Sequence, residues 1–522
     1  MCLKFKRFYL SICLLSLFAT CMCGCAILHL QGLPFSSSVV KLNSHLPLSR
    51  QMVQGNTVYV VRGDFDLQGR EVVVPAGCTL RLEGGCIRNG CLVGNDTFID
   101  LQQTKPVFNE LMLKGRFRSS EFPINAYVSK NLDYFYSFIQ AFSGTKLYLN
   151  DDYSIMGYQG QMDGTTPARF ILDGKGYKLT LYSFGAYKID NCIVKDITID
   201  CRNNITPKNK WKTDKFNFGL VGKFETSTLK LENVTFTKDC GFAYIRGFKE
   251  LEVKDCKEDG SYFFVYDCDV VKFYNNCIEN AANGYYSIGK QTESGTVEIH
   301  DNAFKNITGG GVILSGGVKY NVIIENNVLE RVGGGGAMSA CINIHPKGVN
   351  KVRYNKIMAN VGATTLDIDA AREDMFSEKT EVWVEHNEIV NVPGDVSMHS
   401  MALVGLGKLY FRNNTVKDQR FYFWDTPVME FSGNTMSYTQ GFDANTDIGK
   451  MSTHALTEKI EYKHNYKNNV FEIPSAKGYV RFEYLAKAKV RVKGEGNKYS
   501  HPVSFVDQYK KFESSGDIKI YK

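Results

Sequence analysis

The sequence predicts an all-β chain, a right-handed parallel β-helix solenoid with a small N-terminal β module and a short capping helix. Three observations predict it. A unit of alternating strand, Asn or Asp, then a second short apolar piece returns at Asn233, Asp255, Asn276, Asn302, Asn327, Asn355, Asn387, Asn414, Asn434, Asn469 and Asn497. Its spacing is uneven, 20 residues from 414 to 434 and 35 from 434 to 469, as constant rungs joined by loops of variable length require. Finally, 47 Gly against 12 Pro suits many tight turns between short strands. A length of 522 residues would otherwise suggest several domains, but a repeat array lengthens without enlarging a single core.

The first segment, residues 1–25, reads as a targeting signal. Lys4, Lys6 and Arg7 form a charged start, and Phe8–Ala19 is an apolar run too short to span a bilayer comfortably. It ends in Cys-Met-Cys-Gly-Cys, which resembles a bacterial lipoprotein signal. That resemblance implies export and a lipid anchor in the membrane or cell surface, with Cys25, preceded by Gly24, as the lipidated residue. Cys21 competes for that role, and a cleaved signal with incidental cysteines is the plainer alternative. Residues 26–55 hold Ser36-Ser-Ser and little periodicity, and read as a tether.

Residues 56–120 read as the small β module: Val58–Gly63, then short strands split by Gly at Gly69, Gly84, Gly85, Gly90 and Gly94. The main coil is expected over 121–522. Tyr134–Phe142 has the pattern of a short amphipathic helix, fit to cap an open coil end. Opening rungs follow at Lys146–Leu149 and Phe170–Gly176. At each repeat the Asn suits a bend, because it tolerates left-handed backbone and bonds locally, and stacked amides can bond along the stack.

A second strand column runs between the Asn positions. Its apolar centres Ile245, Val265, Ile288, Leu314, Ile344, Ile368, Val404 and Trp424 are expected to point inward. Their flanks then face solvent. One flank reads Arg246, Tyr266, Gly289, Ser315, His345, Asp369, Gly405, Asp425; the other reads Tyr244, Phe264, Ser287, Ile313, Asn343, Asp367, Leu403, Phe423.

These repeats resemble the right-handed parallel β-helix superfamily of pectate lyases and polygalacturonases, and more narrowly the secreted polysaccharide-degrading proteins of gut bacteria. The resemblance covers the chain from about Ala126 onward. It implies a polysaccharide or oligosaccharide partner outside the cytoplasm. The polygalacturonase-type Asn-Thr-Asp, Asp-Asp and Gly-His-Gly do not occur as a set, so that mechanism is not carried over.

Chemistry is expected on the flanks. Rungs about 4.8 Å apart should bring His345 to Asp369 and Asn343 to Asp367, and the two carboxyls should lie about 6–7 Å apart on one strand. Glycoside hydrolysis needs such a pair, one protonated and one ionised, and neighbouring like charges raise one pKa. Asp367, Asp369 and His345 are therefore the catalytic candidates. Asn343, Lys347, Arg372, Glu373, Tyr266, Tyr286 and Arg246 are the candidates for holding substrate. No cofactor is expected for a hydrolase. The alternatives are a lyase using Ca²⁺ on Asp367, Asp369 and Glu373, a non-catalytic glycan-binding or adhesive surface, and a merely solvated polar strand. A formal charge of +7 with no basic run and no interleaved aromatics argues against nucleic acid. The ten cysteines outside the leader form no C-x-x-C pair, and spacing leaves their pairing open.

The anchor is testable by metabolic labelling with a fatty-acid analogue. The full-length chain should take the label and Cys25→Ala should lose it; loss only in Cys21→Ala would move the lipidated residue.

Overall fold

The computed structural model describes residues 38–155, 165–202, 218–334, 339–370, 377–392, 401–438, 449–452, 459–473, 480–485, 487–500, 503–507, 512–518 and 520–521. Every strand pairing between named strands is parallel, as in the pairs Ala243–Arg246 with Phe263–Tyr266 and Val349–Arg353 with Ser377–Glu385. The chain is a parallel β-helix.

Each coil contributes three strands. Ala243–Arg246 lies in a sheet of fourteen strands among the described residues, and Glu250–Lys254 and Lys257–Asp259 lie in the longer stack that closes the coil. Phe263–Tyr266 then returns to the first of these sheets. Leucine, isoleucine, valine and phenylalanine alternate inward on all three walls, and one buried core runs from Leu42 to Ile518.

The N-terminal strands, Ser38–Lys41 through Tyr127–Val128, form a sheet of their own. Glu121–Pro123 is the first strand to pair with the main coil, against Lys146–Tyr148. Between these two bodies of strand sits the helix Leu132–Ala141. The Asn131 side chain caps it by accepting from the Asp133 amide at 2.8 Å. Its apolar face buries Phe135, Phe138 and Ile139, with Phe138 stacked on Tyr127 at 4.5 Å and Phe135 on Tyr153 at 5.8 Å. One amphipathic helix thus covers the coil end and joins its core to that of the N-terminal sheet.

The corner between the second and third strand of each coil uses two residues with separate tasks. The first takes the left-handed conformation: Asn275, Asp301, Asn326, Tyr354, His386, Asn413 and Asn468 all have φ between 52° and 57°. The second is the buried asparagine. Asn302 donates from its backbone N–H and its Nδ2 to Asn327 Oδ1, at 3.0 and 2.9 Å. Asn327 does the same to Asn355, both at 3.0 Å, and its Nδ2 also reaches Ile299 O at 2.9 Å. The pattern is unbroken from Asn276 to Asn497, where Asp517 accepts the last amide.

Two expected members belong elsewhere. Asn233 and Asp255 are the left-handed corner residues, with φ of 53° and 55°, and are exposed. The buried places beside them hold Val234 and Cys256, and the Cys256 amide donates to Asn276 Oδ1 at 2.9 Å. The ladder therefore starts where the first buried amide appears.

Three expected inward centres also shift by one residue. Val265 pairs with Ser287, Ile368 with Leu403, and Leu403 with Phe423, so Ile288, Val404 and Trp424 point outward. Gly289, Gly405 and Asp425, expected on the flank, are left-handed turn residues with φ of 87°, 69° and 49°.

Replacing Asn327 with Leu removes an acceptor from two donors of Asn302 and takes the side-chain donor from Asn355 Oδ1 and Ile299 O, while the backbone N–H of residue 327 still reaches Asn355 Oδ1. Urea unfolding should show a loss of roughly 2–3 kcal/mol, the cost of leaving buried polar groups unpaired. A variant of wild-type stability would show that the ladder contributes nothing.

Candidate functional site

With the register established, two columns face outward from the fourteen-stranded sheet. One runs Tyr244, Phe264, Tyr286, Ile313, Asn343, Asp367, Ala402, Tyr422. The other contains Arg246, Tyr266 and Ile288, then Ser315, His345, Asp369, Val404 and Trp424. Period-two strands put Asp367 and Asp369 on one face of Leu366–Asp369, two positions apart.

The expected contact between Asn343 and Asp367 is present: Asn343 Nδ2 donates to Asp367 Oδ2 at 2.6 Å, and the two are paired in register. His345 stands one position beyond the paired Ile344 and Ile368, as Asp369 does on the next strand. The expectation that this face is open to solvent is overturned. Asn343 is fully buried, Asp367 is 5% exposed and His345 6%; Asp369 is half-buried. An outward direction on a sheet gives no information about what lies over it.

Burial sets the electrostatics. Removal from water first, and the charge of Asp369 second, raise the Asp367 carboxyl against the opposing Asn343 hydrogen bond, and together they set it at about 6. The site thus holds a carboxylic acid that titrates near neutrality, with a second carboxyl two residues away.

The remaining candidates are spread along the sheet. Lys347 is half-buried at the end of the His345 strand, its Nζ 5.9 Å from the Tyr320 ring centroid. Tyr286 lies three strands from Asp367, Tyr266 four and Arg246 five, which at about 4.8 Å per strand is roughly 14–24 Å. Arg246 lies over the Tyr266 ring at 4.7 Å and is 3.6 Å from Asp267. Tyr286 meets Phe264 edge-on at 5.2 Å, and Phe264 stacks on Tyr244 at 5.8 Å. These residues form an aromatic track leading to the carboxylates, not part of one cluster with them. Arg372, Glu373 and Cys25 lie outside the described residues. Among the described residues no group of three or more His, Cys, Asp or Glu is arranged to hold a metal ion.

The corrected register adds residues that the pattern missed. Tyr422 and Trp424 stand two strands beyond Asp367 and Asp369, half-buried, with rings edge to face at 5.7 Å. Aligning the most apolar residue of each strand hid Trp424 in the core. Counting back from the left-handed turn residue finds it, because the residue just before that turn is outward in Arg246, Tyr266, Ile288, Val404 and Trp424 alike.

No family model, curated protein or solved structure matches this chain.

A buried carboxyl with a raised pKa is also a stability statement. Its folded value lies above the unfolded one of about 3.9, so its contribution is fully present below that pH and is lost as pH rises through about 6. Between pH 4 and pH 8 the stability of Asp367→Asn, relative to wild type, should therefore rise by about 1–3 kcal/mol. Urea melts at the two pH values check this; a gap that does not change with pH would mean that Asp367 titrates as an ordinary carboxyl.

Proposed function

We propose that the chain is an extracytoplasmic carbohydrate-active enzyme, a glycoside hydrolase that cleaves a polysaccharide on the outward face of the fourteen-stranded sheet. The observation that carries this reading is the pair of unlike carboxyls. Asp367, buried and raised to about 6, is suited to give a proton to the leaving sugar oxygen. Asp369, half-buried beside it, is suited to act as the partner that activates water or meets the developing positive charge. His345 tunes Asp369. The aromatic rows on both sides, Tyr266 and Tyr286 before the pair and Tyr422 and Trp424 after it, offer flat apolar faces along the path of an extended glycan.

The resemblance to pectate lyase-like and polygalacturonase-like coils supports the substrate class, and the leader supports export with a lipid anchor on Cys25. A Ca²⁺-dependent lyase would need Asp367 ionised around the cation, whereas its burial favours the neutral acid.

The test is release of reducing ends from a polysaccharide panel by the mature protein. Asp367→Asn should lower turnover by about 10²–10⁴-fold, the usual worth of a positioned proton donor. In the wild type, kcat/KM should fall as pH rises through about 6, because the acid must be protonated to act. Full activity in Asp367→Asn ends the assignment. Unsaturated, chelator-sensitive products would make the protein a lyase, and glycan binding without product would make it an adhesin.

A further inference from the structure

Ser315, His345 and Asp369 stand on three successive strands. Leu314 pairs with Ile344 and Ile344 with Ile368, and each of the three residues stands one position after these. Neighbouring strands are about 4.8 Å apart, so the strand of His345 runs between that of Ser315 and that of Asp369, and Ser315 Oγ makes no hydrogen bond to the imidazole in this structure. Nucleophilic catalysis by serine requires that order.

The hydroxyl itself is the second observation. Ser315 is fully buried, and its Oγ has no hydrogen-bond partner among the described residues. A buried hydroxyl without a partner costs free energy, and an alanine would fill the same space without that cost. The backbone after it is the third. Register with the next strand stops at Leu314 and resumes at Lys319, so residues 315–318 stand outside the ladder. Gly316 has φ of 69°, and a Cβ on Gly317 would come within 2.5 Å of Gly289 O. Only glycine fits this sharp turn, and its N–H groups lie next to the serine, where an oxyanion would need donors.

We propose that this face also hydrolyses ester substituents on a glycan, with Ser315 as nucleophile, His345 as general base and Asp369 as the positioning residue. Ser315 Oγ bonds to the acyl carbon while its proton passes to a ring nitrogen of His345. The bond from the acyl carbon to the sugar oxygen breaks, and that oxygen takes the proton from His345. Water then attacks the acyl carbon, His345 takes one of its protons, and Ser315 Oγ leaves and recovers it. The net change is ester plus water to carboxylic acid plus sugar hydroxyl. Asp367 has no part in these steps, so this activity stands apart from glycoside cleavage.

The mature protein is tested with p-nitrophenyl acetate and an alkyl fluorophosphonate. Ester turnover and a covalent adduct on the Ser315 peptide are expected, and both should disappear in Ser315→Ala, whose thermal midpoint should not fall. Asp369→Asn should lower ester turnover at least 10²-fold and shift the acidic limb of the pH–rate profile to lower pH, because a neighbouring carboxylate raises the imidazole pKa. A role in folding alone would leave that limb in place and would overturn the assignment of Asp369. Ester turnover in Ser315→Ala equal to wild type, or no adduct on Ser315, overturns the proposal. Glycan cleavage reports separately: Ser315→Ala should retain it, and Asp367→Asn should lose it while keeping the adduct on Ser315.

Discussion

Every corner of a coil takes backbone out of the strand ladder and into the interior, where an unpaired N–H or C=O is costly. The buried asparagines answer that requirement. Each amide oxygen receives two donors from the coil before, and each amide nitrogen reaches both the next asparagine and a backbone carbonyl. Because the side chain completes the hydrogen bonding of its own corner and its neighbour's, one coil cannot slide against the next without breaking several bonds at once. The insertions that vary the repeat length must then leave through the loops, as the 20-residue and 35-residue intervals show.

The consequence for function is positional. A corner held in register holds the strands that follow it, so residues on different coils become fixed neighbours. Asn343 and Asp367 are 24 residues apart in the chain yet share a 2.6 Å hydrogen bond. A solenoid builds a site by stacking, and the chemistry of the site depends on which side chains reach the same column. Here the outward columns change character along the axis, from half-buried aromatics through Ser315 and the His345–Asp369 neighbourhood to Tyr422 and Trp424.

Burial makes the middle of this face unlike an ordinary polar sheet surface. Asn343, His345 and Asp367 carry an amide, an imidazole and a carboxyl into a region nearly closed to water, where charge is penalised and a carboxyl holds its proton to higher pH. Such an arrangement lowers stability near neutral pH, and sequences keep arrangements of that kind where they serve chemistry or binding. At the ladder, by contrast, the buried amides are fully paired along the run, and their role is structural.

The amino-acid pattern by itself determined the all-β coil, the cap near 134–142, the run of stacking asparagines from Asn276 onward, and the pairing of Asn343 with Asp367. These follow from periodicity and residue type, which act locally: strands alternate, helices repeat at 3.6, and asparagine suits a bend that other side chains resist. Tertiary structure decided the rest. It placed Ser287, Leu403 and Phe423 inward in place of Ile288, Val404 and Trp424, because the left-handed turn residue, not the most apolar side chain, sets where a strand ends. It moved Asn233 and Asp255 from the ladder to the corner beside it, one residue away, where the same side chain has a different task. It also buried Asp367 and His345, which alternation had turned outward toward water. Alternation gives the direction of a side chain from its own strand, but its solvation depends on whatever packs above the sheet, and that is a property of the folded chain alone.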